Sequence, residues 1–281
     1  MPNKYHFISG LPRSGSTLLS AILRQNPRFH AGMTSPVGTL FGNLIASVSA
    51  GTELSTMVNT EQRKRLARAL FDAYYADLPK GCDIAFDTNR AWSANLAALS
   101  DLFPEGKVLA CVRNVAWVMD SMERQVQSNA FENTRFFASP AERSTVFTRL
   151  EALANRNGLV GYAWSALNEA LYGPHADKLL LIDYDLLVAR PKEVMPLVYK
   201  FLGEEPFDHD FDNVVYDAPE FDAQLGASGL HKVHKKVEPK PRRTILPPEL
   251  FEKYAQLNFW RDLKGSKAQM IIQQHSDKAA E

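Results

Sequence analysis

The segment Phe7-Ile-Ser-Gly-Leu-Pro-Arg-Ser-Gly-Ser-Thr-Leu-Leu19 constrains this chain more than any other stretch. A β-forming run enters it, Gly10 and Gly15 bracket a turn, and Leu18, Leu19, Ile22 and Leu23 continue at helical spacing from Ser16 to Gln25. Strand, Gly-x4-Gly turn and Ser-Thr helix start, in that order, form the frame of a P-loop. Glycines let the backbone wrap an anion, the exposed N–H groups donate to it, and the helix N-terminus adds partial positive charge. The lysine that triphosphatases carry before the Ser/Thr is replaced by Ser16, and the positive charge sits at Arg13. Triphosphate hydrolysis uses that lysine together with a hydroxyl-held Mg²⁺. Arg13 with its neighbouring hydroxyl and amide donors suits a less charged group.

Four short β-forming runs, at 5–9, 82–86, 107–112 and 178–183, are each followed by a helical pattern. After the third run, 116–127 carries Met119, Met122 and Val126 on one stripe. After the fourth, Pro191 suits a first helical turn, Val194, Leu197, Val198, Phe201 and Leu202 form the stripe, and Gly203 supplies the stop. Pro196 lies inside that pattern and argues against an unbroken helix. Strands alternating with helices predict an α/β fold of three layers around a central parallel sheet, with ligands at the carboxyl ends of the strands. No repeat or Gly/Ser linker divides residues 1–281, so one domain is expected. Helical stretches at 60–77 and 144–172 are expected to wall the site, and 31–59 and 128–143 read as loops that carry substrate specificity.

Two cysteines are too few for a disulfide framework or a tetrahedral metal centre, so no metal is expected. No apolar run approaches the roughly 18 to 20 residues that span a bilayer, and no basic-then-apolar leader opens the chain. A soluble, cytoplasmic protein is expected. Thirty-two basic residues balance 32 acidic ones, but unevenly. Residues 1–52 hold Lys4, Arg13, Arg24 and Arg28 and no carboxylate; 204–222 hold eight carboxylates and no Lys or Arg; 231–243 are strongly basic. Separated basic segments in a neutral chain can converge on one small anion, whereas a nucleic-acid face would more often make the whole chain basic.

The third strand run ends in Val112-Arg113-Asn114 and enters a helix carrying Ser121. An arginine at a strand end and a hydroxyl early in the next helix can meet at one phosphate. Together the two motifs resemble the sulfotransferases that use 3′-phosphoadenosine 5′-phosphosulfate (PAPS). Pro12-Arg-Ser-Gly-Ser-Thr-Leu-Leu19 is similar to that family's 5′-phosphosulfate loop, and Cys111-Val-Arg-Asn-Val-Ala-Trp-Val-Met-Asp-Ser121 to its 3′-phosphate motif, with the Arg-to-Ser spacing of eight kept. Asp183-Tyr-Asp-Leu-Leu-Val-Ala-Arg-Pro-Lys192 looks like the stretch after the family's last core strand. The arginine-led loop looks closer to the Golgi protein-tyrosine and bacterial branches than to the lysine-led loop of cytosolic hormone and phenol enzymes.

The resemblance implies that Arg13, Ser14, Gly15, Ser16 and Thr17 hold the 5′-phosphosulfate, and that Arg113 and Ser121 hold the 3′-phosphate. It places residues 1–30 as the phosphosulfate loop and helix, 105–127 as the 3′-phosphate motif, and 224–245 as a basic segment closing over the cofactor through Lys232, Lys235 and Lys236. Tyr162 or Trp164 would border the adenine, although core packing explains either ring as well. Arg13 would carry charge on the sulfuryl group. Where many members place a catalytic lysine this chain has Phe86-Asp-Thr-Asn-Arg-Ala-Trp92, so Arg90 or Thr88 would substitute. The glutamate common after the first helix is missing, leaving Asp87 first and His30 second as candidate bases. The acceptor would be a hydroxyl or amine on a small molecule, carbohydrate or peptide. A catalytically silent nucleotide-binding module and a divergent P-loop kinase are the competing readings.

Overall fold

Alternating side chains along the strands build both faces of one parallel sheet. The computed structural model describes residues 2–272 except 132, 133, 234 and 263. Strand β1 (Lys4–Gly10) leads through α1 (Ser16–Leu23) to β2 (Phe29–Ala31). After α2 (Val37–Val48) and α3 (Thr60–Tyr74) come β3 (Ile84–Thr88), α4 (Ala91–Ala94), α5 (Leu96–Leu102) and β4 (Val108–Val112). The chain continues through α6 (Val115–Ser128), α7 (Pro140–Arg143), α8 (Val146–Ala154) and α9 (Leu159–Tyr172) to β5 (Leu179–Asp183). It ends with α10 (Tyr184–Ala189), α11 (Pro191–Leu202), α12 (Pro219–Gln224), α13 (Pro248–Ala255) and β6 (Gln269–Ile271). The strands lie in the order β2-β3-β1-β4-β5-β6, all parallel, so β1 sits centrally with Gly10 opposite Cys111 of β4.

Tyr5 and Phe7 of β1, with Val108, Ala110 and Val112 of β4 and Leu179 and Leu181 of β5, face one layer, which includes Phe41, Phe71, Trp92, Leu153 and Leu167. Ile8, Leu109, Cys111, Leu180 and Ile182 face the opposite layer, formed by α1, α10 and α11 through Leu19, Ile22, Leu187, Val194 and Val198. Strands buried on both sides read as continuous apolar runs, which is why all four long strands were legible. Burying each such large side chain contributes about 1.5–3 kcal/mol. The three-layer α/β expectation holds.

The edge strands β2 and β6 are three residues each, too short for a periodic signal. Within 31–59 the chain forms the twelve-residue α2, burying Val37 and Phe41, where a loop was expected. The expected single stretch 144–172 is two helices, broken at Asn155–Gly158. Helix α11 runs unbroken through Pro196, because Val194, Met195, Val198, Tyr199 and Leu202 anchor its buried face. That face is rotated from the expected stripe: Met195 and Tyr199 are inside and Leu197 is exposed.

Candidate functional site

The turn after β1 forms because two positions exclude a side chain. Gly10 has φ +106°, and a Cβ there would lie 2.1 Å from the Cys111 carbonyl oxygen. Gly15 has φ +96°, and a Cβ there would lie 2.6 Å from the Tyr184 ring. Between them Arg13 adopts φ +57°, a left-handed conformation that costs a non-glycine residue about 1–2 kcal/mol. Its side chain is tied at both ends: Nε donates to Ser121 Oγ at 3.1 Å, and an Nη1 hydrogen bond reaches the Leu230 carbonyl. The first motif, the second motif and the late basic segment therefore meet at one guanidinium.

Around it opens a cavity of about 840 Å³ at the carboxyl ends of β1, β3 and β4, within the range of small-ligand sites. Among the described residues its wall holds eight cationic side chains, Arg13, Arg90, Arg113, Arg135, Lys232, Lys236, Lys240 and Arg242, against two carboxylates, Asp185 and Glu238. Asp185 lies 3.7 Å from Arg113 Nε, and the Arg113 guanidinium stacks 4.2 Å above the Tyr184 ring. Glu238 pairs with Lys236 at 3.3 Å. Burial, then the charges of Arg113 and Arg242, press Arg13 below the ordinary arginine range; burial and Arg113 do the same to Arg242. Cations that destabilise one another in a half-closed space are relieved by an anion.

The cavity gathers Arg13, Gly15, Ser16, Thr17, Arg90, Arg113, Ser121 and Lys232 from the residues the sequence indicated. Ser14 is beneath the loop instead. Its hydroxyl is fully buried and turned to the carbonyls of Leu11 and, at 2.8 Å, Cys111, so its side chain fastens the loop to β4. Asp87 is not on the wall. It is fully buried behind β3, where Ser35 donates at 2.6 Å, Tyr75 at 2.8 Å and the Trp92 indole at 2.8 Å. Burial pushes its pKa up against those three donors. His30 packs against the Tyr75 ring away from the cavity. Lys235 is exposed and off the wall, since its backbone carbonyl is bonded to Val214 N while the side chain turns to solvent. Thr88 reaches the wall with its hydroxyl donated to the Gly32 carbonyl at 2.8 Å. Trp164 borders a separate, smaller cavity with its indole donated to the Leu257 carbonyl at 2.7 Å, and Tyr162 is largely exposed.

Arg90 follows β3 and has no hydrogen-bond or ion-pair partner for its guanidinium among the described residues; burial holds its pKa below the ordinary range. Arg242 was not singled out by sequence reasoning. Its guanidinium lies 5.0 Å over the Trp117 ring, donates to the Trp117 carbonyl at 3.2 Å and approaches Asp120 at 3.8 Å. Membership of the basic run was its sole sequence signal, and the tertiary contact with α6 is what selects it from that run.

A glycine-bracketed strand-loop-helix at the centre of a parallel sheet, opening on a cation-rich cavity, defines a P-loop-like α/β protein. The sulfotransferase family model matches residues 6–209, and the chain belongs to that family. The chain is similar to the sulfotransferase domain from the Synechococcus PCC 7002 olefin synthase, at 17% identity and TM-score 0.47 over 94% of this chain and 96% of that one. It is also similar to the sulfotransferase domain from the curacin biosynthetic pathway, at 15% identity and TM-score 0.49 over 94% of each. The mouse sulfotransferase SULT7A1 complexed with PAP is 16% identical, with TM-score 0.45 over 73% of this chain and 60% of that one. No curated protein matches the sequence significantly. Among the described residues no helix is long and apolar enough to cross a membrane.

Proposed function

We propose that this protein moves a sulfuryl group from PAPS to a hydroxyl or amine acceptor, releasing adenosine 3′,5′-bisphosphate. The observation that carries the reading is the hydrogen bond from Arg13 to Ser121, which joins the two anion motifs across 108 residues of chain inside one cavity. The donor set fits a nucleotide with two separated anionic ends. Backbone N–H groups at Gly15, Ser16 and Thr17 open α1, the hydroxyls of Ser16 and Thr17 line the cavity, and Arg13 stands over them. Arg113, held flat by Tyr184, and Ser121 supply the second end. Lys232 and Arg242 add charge from the late basic segment.

Sulfuryl transfer requires in-line approach of the acceptor, compensation of charge on the departing oxygen, and removal of the acceptor's proton. PAPS supplies the activated sulfuryl group. Arg13 compensates charge where the bond breaks, and Arg90, just past the end of β3, takes the place of the lysine carried there by the family resembled. The acceptor class is a small molecule, carbohydrate or peptide bearing the hydroxyl or amine, and two free cysteines, Cys82 and Cys111, suit a reducing, cytoplasmic setting. Calorimetric titration with adenosine 3′,5′-bisphosphate tests the reading: saturable binding is expected, and none at high micromolar ligand refutes it.

A further inference from the structure

The proton acceptor that the sequence left open is indicated by a pair formed where the acidic and basic segments meet. Asp222, in α12, is fully buried; its Oδ2 accepts the backbone N–H of His231 at 2.9 Å, and its Oδ1 lies 2.5 Å from His231 Nδ1. A buried carboxylate is an acceptor, so this contact places the imidazole hydrogen on Nδ1 and the lone pair on Nε2. His231 is on the cavity wall, and Nε2 has no partner among the described residues. The Phe221 ring meets the imidazole edge-on at 5.5 Å, which fixes its plane. The preceding carbonyl, Leu230 O, is the one bonded by Arg13, so the imidazole is one residue along the chain from the phosphosulfate loop's own clamp.

We infer that His231 Nε2 takes the acceptor's proton, with Asp222 as its positioning residue; this rests on the sulfuryl-transfer reading above. The two carboxylates on the wall are engaged: Asp185 faces Arg113 and Glu238 faces Lys236. Among the described residues His231 is the imidazole of the wall. In the step, the proton of the acceptor hydroxyl passes to Nε2 as the acceptor oxygen bonds to sulfur. The bond from sulfur to the 5′-phosphate oxygen breaks, and its electron pair leaves on that oxygen. The products are the sulfate ester, the bisphosphate and an imidazolium held against the Asp222 carboxylate, which afterwards returns its proton to water. The charged group in contact with the imidazole is Asp222; Arg13 bonds the preceding carbonyl, and Lys232, Glu238 and Arg242 line the same cavity.

The test compares the full chain with His231→Gln and Asp222→Asn in two measurements: calorimetric binding of adenosine 3′,5′-bisphosphate, and its release from PAPS with phenol, benzyl alcohol or benzylamine across a pH series. His231→Gln is expected to keep its affinity for the bisphosphate within about threefold while turnover falls roughly 10²–10⁴-fold. The fall should be larger with benzyl alcohol than with phenol, because a phenol ionises near pH 10 without help. The acid-side decline of the pH–rate profile should vanish in that variant, and Asp222→Asn should lower turnover less and keep the affinity. Unchanged turnover and an unchanged acid limb in His231→Gln overturn the assignment. A wild-type chain that binds the bisphosphate but transfers to none of the three acceptors overturns it as well. Failure of the wild type to bind the bisphosphate instead removes the nucleotide reading on which it rests. Long-range proton–nitrogen spectra give an independent check, expected to show Nδ1 protonated and Nε2 free; the opposite tautomer overturns the assignment.

Discussion

Arg13→Ala separates a residue that serves a ligand from one that serves the fold. In the protein without nucleotide the guanidinium is partly buried among like charges, with Arg113 and Arg242 both pressing its pKa down. Its hydrogen bonds to Ser121 and Leu230 offset that cost, and the partners left behind border a cavity that water can enter. The φ of +57° persists in alanine, so no backbone strain is released. Stability without ligand is therefore expected to stay within about 1 kcal/mol of wild type, whereas breaking a structural buried ion pair costs about 3–5 kcal/mol.

With ligand the outcome reverses. Losing a charged hydrogen bond weakens binding by about 1.5–3 kcal/mol, which is roughly 12- to 150-fold in Kd. At a bisphosphate concentration of about 100 times the wild-type Kd, wild type gains about 2.7 kcal/mol. The variant at the same concentration gains about 0.3–1.3 kcal/mol by the same relation. At about 2–4 °C per kcal/mol for a domain of this size, the ligand-induced rise in Tm should shrink from roughly 5–11 °C to about 5 °C or less. Thermal melts with and without the bisphosphate measure both quantities. A variant several kcal/mol less stable without ligand, yet with the wild-type ligand-induced rise, would refute the account of Arg13 as an anion clamp.

Gly10→Ala should lower stability by about 2–6 kcal/mol in urea titration, since a Cβ 2.1 Å from a backbone oxygen adds a clash to a forbidden φ. Arg242→Ala should weaken bisphosphate binding about tenfold or more, and Lys235→Ala should leave it unchanged, because the first side chain is on the wall and the second points to solvent; equal effects in calorimetry would contradict this placement. His209 is bonded to Tyr199 at 3.1 Å, and burial pulls its pKa down to about 4 despite the opposing charge of Asp208. The unfolded chain therefore binds more protons between about pH 6.5 and 4, so stability falls as pH drops through that window. His209→Gln should flatten that part of the stability curve in denaturant titrations at successive pH values.

The parts legible in the sequence are those written by local rules. The four long strands are buried on both faces and so appear as apolar runs, and Gly10 and Gly15 mark a turn that backbone sterics alone demand. Arg113 and Ser121 could be paired because their spacing of eight joins a strand end to the next helix. The edge strands β2 and β6 were silent because three residues carry no period. The buried face of α11 was misjudged because Leu197 and Met195 are equally apolar, and only packing against the sheet chooses between them.

Tertiary structure decided which of the apparent candidates face the cavity. Asp87, one residue before the wall residue Thr88, points to the other side because successive strand side chains alternate, and Tyr75 and Trp92 close over it there. Lys232 and Arg242 are kept and Lys235 is turned away by the path of a segment with almost no regular structure, which no periodicity could trace. The pairing of His231 with Asp222 joins a basic run to an acidic one, a contact that their order along the chain does not announce. The sequence by itself settled the strand, glycine-bracketed turn and helix at the centre of the sheet and the layer architecture, because these depend on neighbours along the chain. The identity of the side chains that share the cavity with them depends on long-range packing, and only the folded chain brings those side chains within a few ångströms of one another.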